Sequence, residues 1–152
     1  EALMRIGDYV GQRPHFATRG EAEAHLREIM GTWGITEEAR WQHVFQHSIR
    51  PAPGGEGFQL ACDPGIAQAF RNPDGSAKAL EDIAMWEVWQ DITCPVLLLR
   101  GAESDLLREE TAAEMEQRHP ALTRITYPGI GHAPSLMAPD QITAVREWLL
   151  EQ

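Results

Sequence analysis

Cysteine is scarce. Cys62 and Cys94 are the only two in 152 residues, far apart and without a CxxC spacing. That excludes a disulfide framework and a thiolate zinc site, and it suits a reducing compartment, so the expected location is the cytoplasm. Positive charge is also in short supply. Thirteen Lys and Arg face 23 Asp and Glu, for a formal net charge of -10. Nucleic acid and anionic membrane both need a basic face, so neither is expected as a partner; most of the negative charge is read as ordinary solubility. Long apolar runs are absent: none exceeds the length of Val96 to Leu99, far short of a membrane span. No signal-peptide pattern, internal repeat, low-complexity tract or nucleotide-binding glycine loop is present.

What remains is a globular composition, with 43% hydrophobic and 24% charged residues, at a length that suits one domain. Residues 1–20 read as a short helix and a turn-rich stretch, Gly11 to Gly20. Thr18 stands three residues before Glu21, a capping box that opens a helix. Ala22, Leu26, Ile29, Met30 and Trp33 then share one helical face, and Gly34 is expected to end it. Thr36 is the expected cap of a second helix that lines up Trp41, Val44, Phe45, Ser48 and Ile49. Residues 50–57 form a loop by composition, Phe58 to Ala61 a short extended piece, Asp63-Pro64-Gly65 a turn, and residues 71–78 a polar loop. A short helix is expected around Met85 to Trp89.

After Cys94-Pro95 the texture changes. Val96 to Leu99 is the continuous apolar run of a parallel strand buried on both faces. Glu109 to Arg118 is a helix with acids first and a base last, as the helix dipole favours. Thr123 to Tyr127 alternates as a second strand, and Pro139 or Asp140 opens a final helix with Ile142, Val145 and Leu149 on its inner face. This strand–helix–strand–helix rhythm is that of an α/β fold with a parallel sheet. Two strands cannot make a stable parallel sheet alone, and residues 1–92 supply no convincing others. The chain reads as part of a larger sheet.

Functional groups in such sheets sit on loops at the carboxyl ends of strands. Arg100-Gly101-Ala102-Glu103-Ser104-Asp105 follows the first strand, and Pro128-Gly129-Ile130-Gly131-His132-Ala133-Pro134 follows the second. Adjacent strands would bring the two loops together. A carboxylate could then hold one ring nitrogen of His132 and leave the other free as a base. Glu103 is the competing acid, and a helix-capping role near Leu106 is the ordinary alternative for Asp105.

This succession resembles the last two strands of the α/β-hydrolase fold. Asp105 and His132 match the family's catalytic acid and histidine, 27 residues apart and in the family order of nucleophile, acid, histidine. The resemblance covers residues 93–152. It implies that residues 1–92 are a helical lid or cap, that no metal or organic cofactor is needed, and that the reaction is hydrolysis of an ester, lactone or similar bond.

The departure from the family is the nucleophile. None of the four serines, Ser48, Ser76, Ser104 and Ser135, lies in a G-x-S-x-G elbow. Ala61-Cys62-Asp63-Pro64-Gly65 echoes an elbow only loosely and reads as a turn. The nucleophile, oxyanion loop and remaining strands are therefore expected upstream of Glu1, and the chain alone is expected to be inactive. His43 and His47, at i and i+4, lack the glutamate and third ligand of a zinc motif, so no metal site is expected. His15, His25 and His119 belong to no constellation. Trp33, Trp41 and Trp86 are candidates for a substrate-binding lining, with Trp89, although aromatics at helical spacing more often form core. Two other expectations compete with the hydrolase reading: a non-catalytic module that self-associates through an exposed sheet edge, and one half of a split enzyme.

Overall fold

The structure, a computed structural model, describes residues 14–76, 78 and 84–151. The short helix expected at the start of the chain lies outside them. The described residues fall into two compact units, one within Glu1–Gly31 and Glu37–Asp82, the other within Thr32–Thr36 and Ile83–Gln152.

The first unit is built on two helices and a hairpin. Helix α1 (Arg19–Ile29) starts where its capping box predicts: Thr18 Oγ1 accepts the Glu21 N–H at 3.2 Å. The Glu21 carboxylate reaches back to the Ala17 N–H at 3.0 Å. Ala22 and Leu26 are buried, but the helix stops at Ile29, four residues before the expected run to Trp33. Met30 closes it with its N–H on the Leu26 carbonyl, so Trp33 and Gly34 fall in a loop. Helix α2 (Glu38–Ser48) buries Trp41, Val44 and Phe45, the stripe read from the sequence. Its cap is Glu37 rather than Thr36, and no side chain bonds there.

Strands β1 (Ile49–Pro51) and β2 (Phe58–Leu60) pair antiparallel, with Ile49 opposite Leu60. Phe16 extends this ladder by bridging to Phe58. The core is aromatic. Phe45 is wholly buried and stacks on Trp41 at 5.6 Å, and burial of two such rings contributes about 2–3 kcal/mol each. The stretch after Asp63, expected to be a turn, is a 3-10 helix (Pro64–Phe70) with the Asp63 carboxylate on the Gly65 N–H at 2.8 Å.

The second unit holds the parallel pair. Strand β3 (Val96–Gly101) and strand β4 (Leu122–Tyr127) run in register from Val96 opposite Leu122 to Gly101 opposite Tyr127. Helix α4 (Glu109–Arg118) makes the crossover. A short helix, α3 (Trp86–Gln90), precedes β3; Trp89 Nε1 donates to the Met115 carbonyl at 3.2 Å, and the Arg118 guanidinium lies 4.4 Å over Trp86. Helix α5 (Pro139–Leu150) opens with proline at its first turn, where the missing N–H costs nothing. Val96 to Leu99 are half-buried, not buried on both faces as expected. The reason is the sheet: β3 has one parallel neighbour among the described residues.

Candidate active site

The carboxyl ends of β3 and β4 lie side by side, and the loops that leave them are stitched together by backbone. Ala102 N donates to the Tyr127 carbonyl at 2.8 Å, and Glu103 N donates to the Ile130 carbonyl at 3.0 Å. The approach is so close that only glycine fits. A Cβ on Gly101 would overlap the carbonyl oxygens of Ile130 and Gly131. On its other side the histidine loop is tied to Thr32–Thr36: Gly131 N donates to the Thr32 carbonyl at 2.8 Å and Ser135 N to the Trp33 carbonyl at 3.0 Å. A Cβ on Gly131 would press into the Thr32 side chain. Leu136, just beyond, sits at φ 56, a left-handed conformation that costs a branched residue about 1–3 kcal/mol. Such outliers concentrate at sites where the backbone is over-determined.

This stitching sets the side chains. His132 is exposed, and its Nδ1 lies 3.0 Å from Ser104 Oγ. Ser104 is buried, and its Oγ also accepts the Leu107 N–H at 2.9 Å. Asp105, the next residue, is exposed at the tip of the same loop, as is Glu103. The structure thus joins the two loops singled out in the sequence, and it brings Ser104 to His132 Nδ1. The sequence marked Ser104 only as a serine outside any elbow. A serine three residues before a free N–H is a capping signal, but Asp105 beside it carries the same signal, so the pattern alone could not choose.

Arg100 was read as the start of the loop and is instead a buried strand residue, 5% exposed. Its guanidinium donates to the Leu107 carbonyl at 2.8 Å, the Ala102 carbonyl at 3.3 Å and Glu109 Oε2 at 3.1 Å. Glu109 is shared with Arg124 at 2.6 Å. One planar cation therefore clamps both ends of the acid loop, a task that suits its forked donors.

Two buried oxygens, Tyr127 Oη and Gln141 Oε1, have no hydrogen-bond partner among the described residues. Burial, and then the charge of Asp140, push the Tyr127 phenol above its ordinary range.

The other candidates lie elsewhere. Trp41 is buried in the first unit, 6% exposed, with the Arg27 guanidinium 4.9 Å over its ring. Trp33 is half-buried in the loop bonded to Ser135, and Trp86 is half-buried beneath Arg118. Cys62 and Cys94 are exposed free thiols. His43 and His47 are exposed with ring centroids 4.5 Å apart. Among the described residues, no three His, Cys, Asp or Glu side chains gather as a metal would need, and no helix is long and apolar enough to cross a membrane.

No family model matches the chain. A 3-hydroxybutyrate-oligomer hydrolase of Cupriavidus necator is 36% identical over 143 residues, which is 93% of this chain and 49% of that protein. The chain thus spans about half the length of the curated relative it matches. Among solved structures, an α/β hydrolase from Novosphingobium aromaticivorans aligns with a TM-score of 0.79 at 30% identity, covering 99% of this chain and 52% of the other. A Rickettsia typhi protein gives 0.80 at 29%, covering 99% and 49%. An E-2-(acetamidomethylene)succinate hydrolase gives 0.69 at 18%, covering 98% and 53%, a likeness of fold alone.

Proposed function

Because this chain belongs to the α/β-hydrolase fold family, whose C-terminal part it spans, we propose that it contributes the base and the acid of a nucleophile–acid–histidine hydrolase. The observation that carries the reading is the junction of the two strand-end loops, with Ser104 Oγ 3.0 Å from His132 Nδ1 in a segment homologous to hydrolases. In the complete enzyme a nucleophile outside this chain attacks the substrate. His132 takes the nucleophile's proton and later activates water, while Asp105 orients the ring and stabilises the imidazolium. Backbone N–H groups, also outside this chain, hold the oxyanion. Residues 1–92 have the role of the family's helical lid, and no metal or organic cofactor takes part. The bond cleaved is an ester, lactone or similar acyl bond, and the C. necator relative makes ester-linked oligomers of a hydroxy acid the first class to assay.

The test is hydrolysis of short acyl esters and 3-hydroxybutyrate oligomers by the complete protein and its Asp105→Asn variant. The expected result is turnover by the wild type and a loss of about a thousandfold or more in the variant, because the ring loses its orienting charge. An unaffected variant would remove Asp105 from the acid role.

A second reading rests on surface chemistry. Met85, Val88, Leu136, Ile142, Leu149 and Leu150 are all exposed in the second unit. Such a display fits an interaction surface for the other half of the fold or for a second copy of this chain. A homo-oligomer in solution that is inert toward activated esters would favour this reading over the first.

A further inference from the structure

We propose that the connection between α1 and α2, Thr32–Thr36, is a positioning strap for His132, keyed by the side chain of Ile130 resting on Gly34; the inference rests on His132 being the base. The helices on either side of this connection belong to the first unit, yet Thr32–Thr36 belongs to the second. Backbone hydrogen bonds hold it there. The peptide that joins Ile130 to Gly131, directly ahead of His132, is bonded at both ends. Its carbonyl accepts the Glu103 N–H at 3.0 Å, and its N–H donates to the Thr32 carbonyl at 2.8 Å. The two groups of a trans peptide point opposite ways, so the acid loop holds one side and the strap the other. After His132, Ser135 N donates to the Trp33 carbonyl at 3.0 Å. The strap therefore grips the backbone both before and after the histidine.

A backbone donor takes any carbonyl that reaches it, so these bonds alone do not fix which residues face each other. The key is Gly34. Its φ is 77, in the left-handed region that glycine enters freely. A Cβ on Gly34 would stand 2.6 Å from Ile130 Cδ1 and 3.3 Å from Ile130 Cγ1. Ile130 thus fills the place where any other residue would carry its side chain. Slid by one residue, the strap would present Trp33 or Ile35 at that point, and neither leaves the space. Gly34 and Ile130 are both half-buried, so the contact also removes apolar surface from water.

The consequence is that the base has a support separate from its acid. A stretch of sequence lying between two helices of the first unit supplies part of the seat of His132. Placement of a base acts on the chemical step more than on substrate capture. A misplacement of about 1 Å costs roughly a hundredfold in rate, and such a loss falls on kcat while KM is kept. Ile130 and Gly34 touch no reacting atom in this account; they act only through where they put His132.

The test moves one methyl across the contact. Gly34→Ala adds a Cβ against Ile130, and Ile130→Val in that background removes Cδ1, the atom it meets first. The ring signals of His132 are read in a proton–nitrogen spectrum of the complete protein, where they are the ones missing from His132→Gln. Alongside them, kcat and KM are measured on a short acyl ester. Gly34→Ala is expected to shift the His132 signals and lower kcat by about tenfold to a hundredfold, with KM nearly kept. The double variant is expected to return the signals to their wild-type positions and to recover most of kcat. Strain from an alanine in the left-handed region is the same in both variants, so that recovery can come only from the relieved contact. His132 signals unmoved in Gly34→Ala, or as displaced in the double variant as in the single, overturn the proposal. If Gly34→Ala does not fold, Ile130→Ala takes its place, because it empties the contact without straining position 34: moved signals are expected, and unmoved ones overturn it. Hydrolysis by His132→Ala is a separate readout: activity there would end the base reading and leave the ring-signal result standing. Moved signals at wild-type kcat, in a protein that His132→Ala inactivates, would overturn the positioning role itself.

Discussion

The two units solve opposite problems. The first buries Phe16, Ala22, Leu26, Trp41, Val44, Phe45, Ile49 and Ala52, and leaves its ion pairs, such as Arg27–Glu38 at 2.6 Å, in solvent. The second buries the polar Arg100, Ser104, His119 and Gln141 beside only Ile35, Ala112 and Tyr127 of its described hydrophobic residues, while Ile142, Leu149 and Leu150 stay exposed. A unit stabilised mainly by its own aromatic core hides apolar surface and shows charge. One with so many buried polar groups uses much of its interior to hold loops in place and presents apolar surface outward. The first has the economy of a self-sufficient packing unit, and the second that of a site carried by part of a sheet.

Substitutions in each unit should fail for different reasons. The largest effect is expected from Phe45→Ala. Its ring is wholly buried, and the variant should lose about 4 kcal/mol, read from its urea midpoint, with amide exchange speeding first in α1 and α2. A loss below about 1 kcal/mol would mean that this core is not tightly packed.

Gly101→Ala comes next. The new Cβ must displace the carbonyls of Ile130 and Gly131, which should cost about 3 kcal/mol and part the acid loop from the histidine loop. The His132 ring signals should move with it, whereas Phe45→Ala should leave them in place. Matching ring shifts in both variants would erase the contrast between the units.

Arg100→Ala should cost about 2 kcal/mol, less than a fully buried ion pair because Glu109 is half exposed to solvent. Arg100→Lys should recover only part of this, since one ammonium cannot serve Leu107, Ala102 and Glu109 together. Full rescue by lysine would show that the charge alone matters.

The smallest effect lies in the first unit's surface. Hydrogen bonds from Gln42 and then Arg27 hold the Glu38 carboxyl below its ordinary 4.5. A depressed carboxyl contributes stability that is present above the unfolded value and lost as pH falls through the folded one. Glu38→Gln should therefore be slightly less stable than the wild type near neutrality, with the difference fading as pH falls below about 4.5. An equal loss in acid, well below the carboxyl's range, would point to a different role for the pair.

Much of this was legible in the sequence, for local reasons. Thr18 and Glu21 announce α1, the acid-first order announces α4, and Pro139 announces α5. The carboxyl-end loops with Asp105 and His132 stood out because glycines flank them in a repeating strand–loop–helix rhythm. What escaped was non-local. The 3-10 helix from Pro64 is too short to show a period. Trp33 left its expected helix because its carbonyl serves Ser135, a hundred residues on. The Ser104–His132 contact exists only once two loops distant in sequence are folded against each other, and the clamp of Arg100 only once its own loop has curled back on the end of β3.

The most direct test of the second unit's role is the rate of ester hydrolysis by the complete protein with His132 replaced by alanine. The account predicts a fall of about a thousandfold or more with the fold retained. Hydrolysis at the wild-type rate in a folded His132→Ala protein would contradict it.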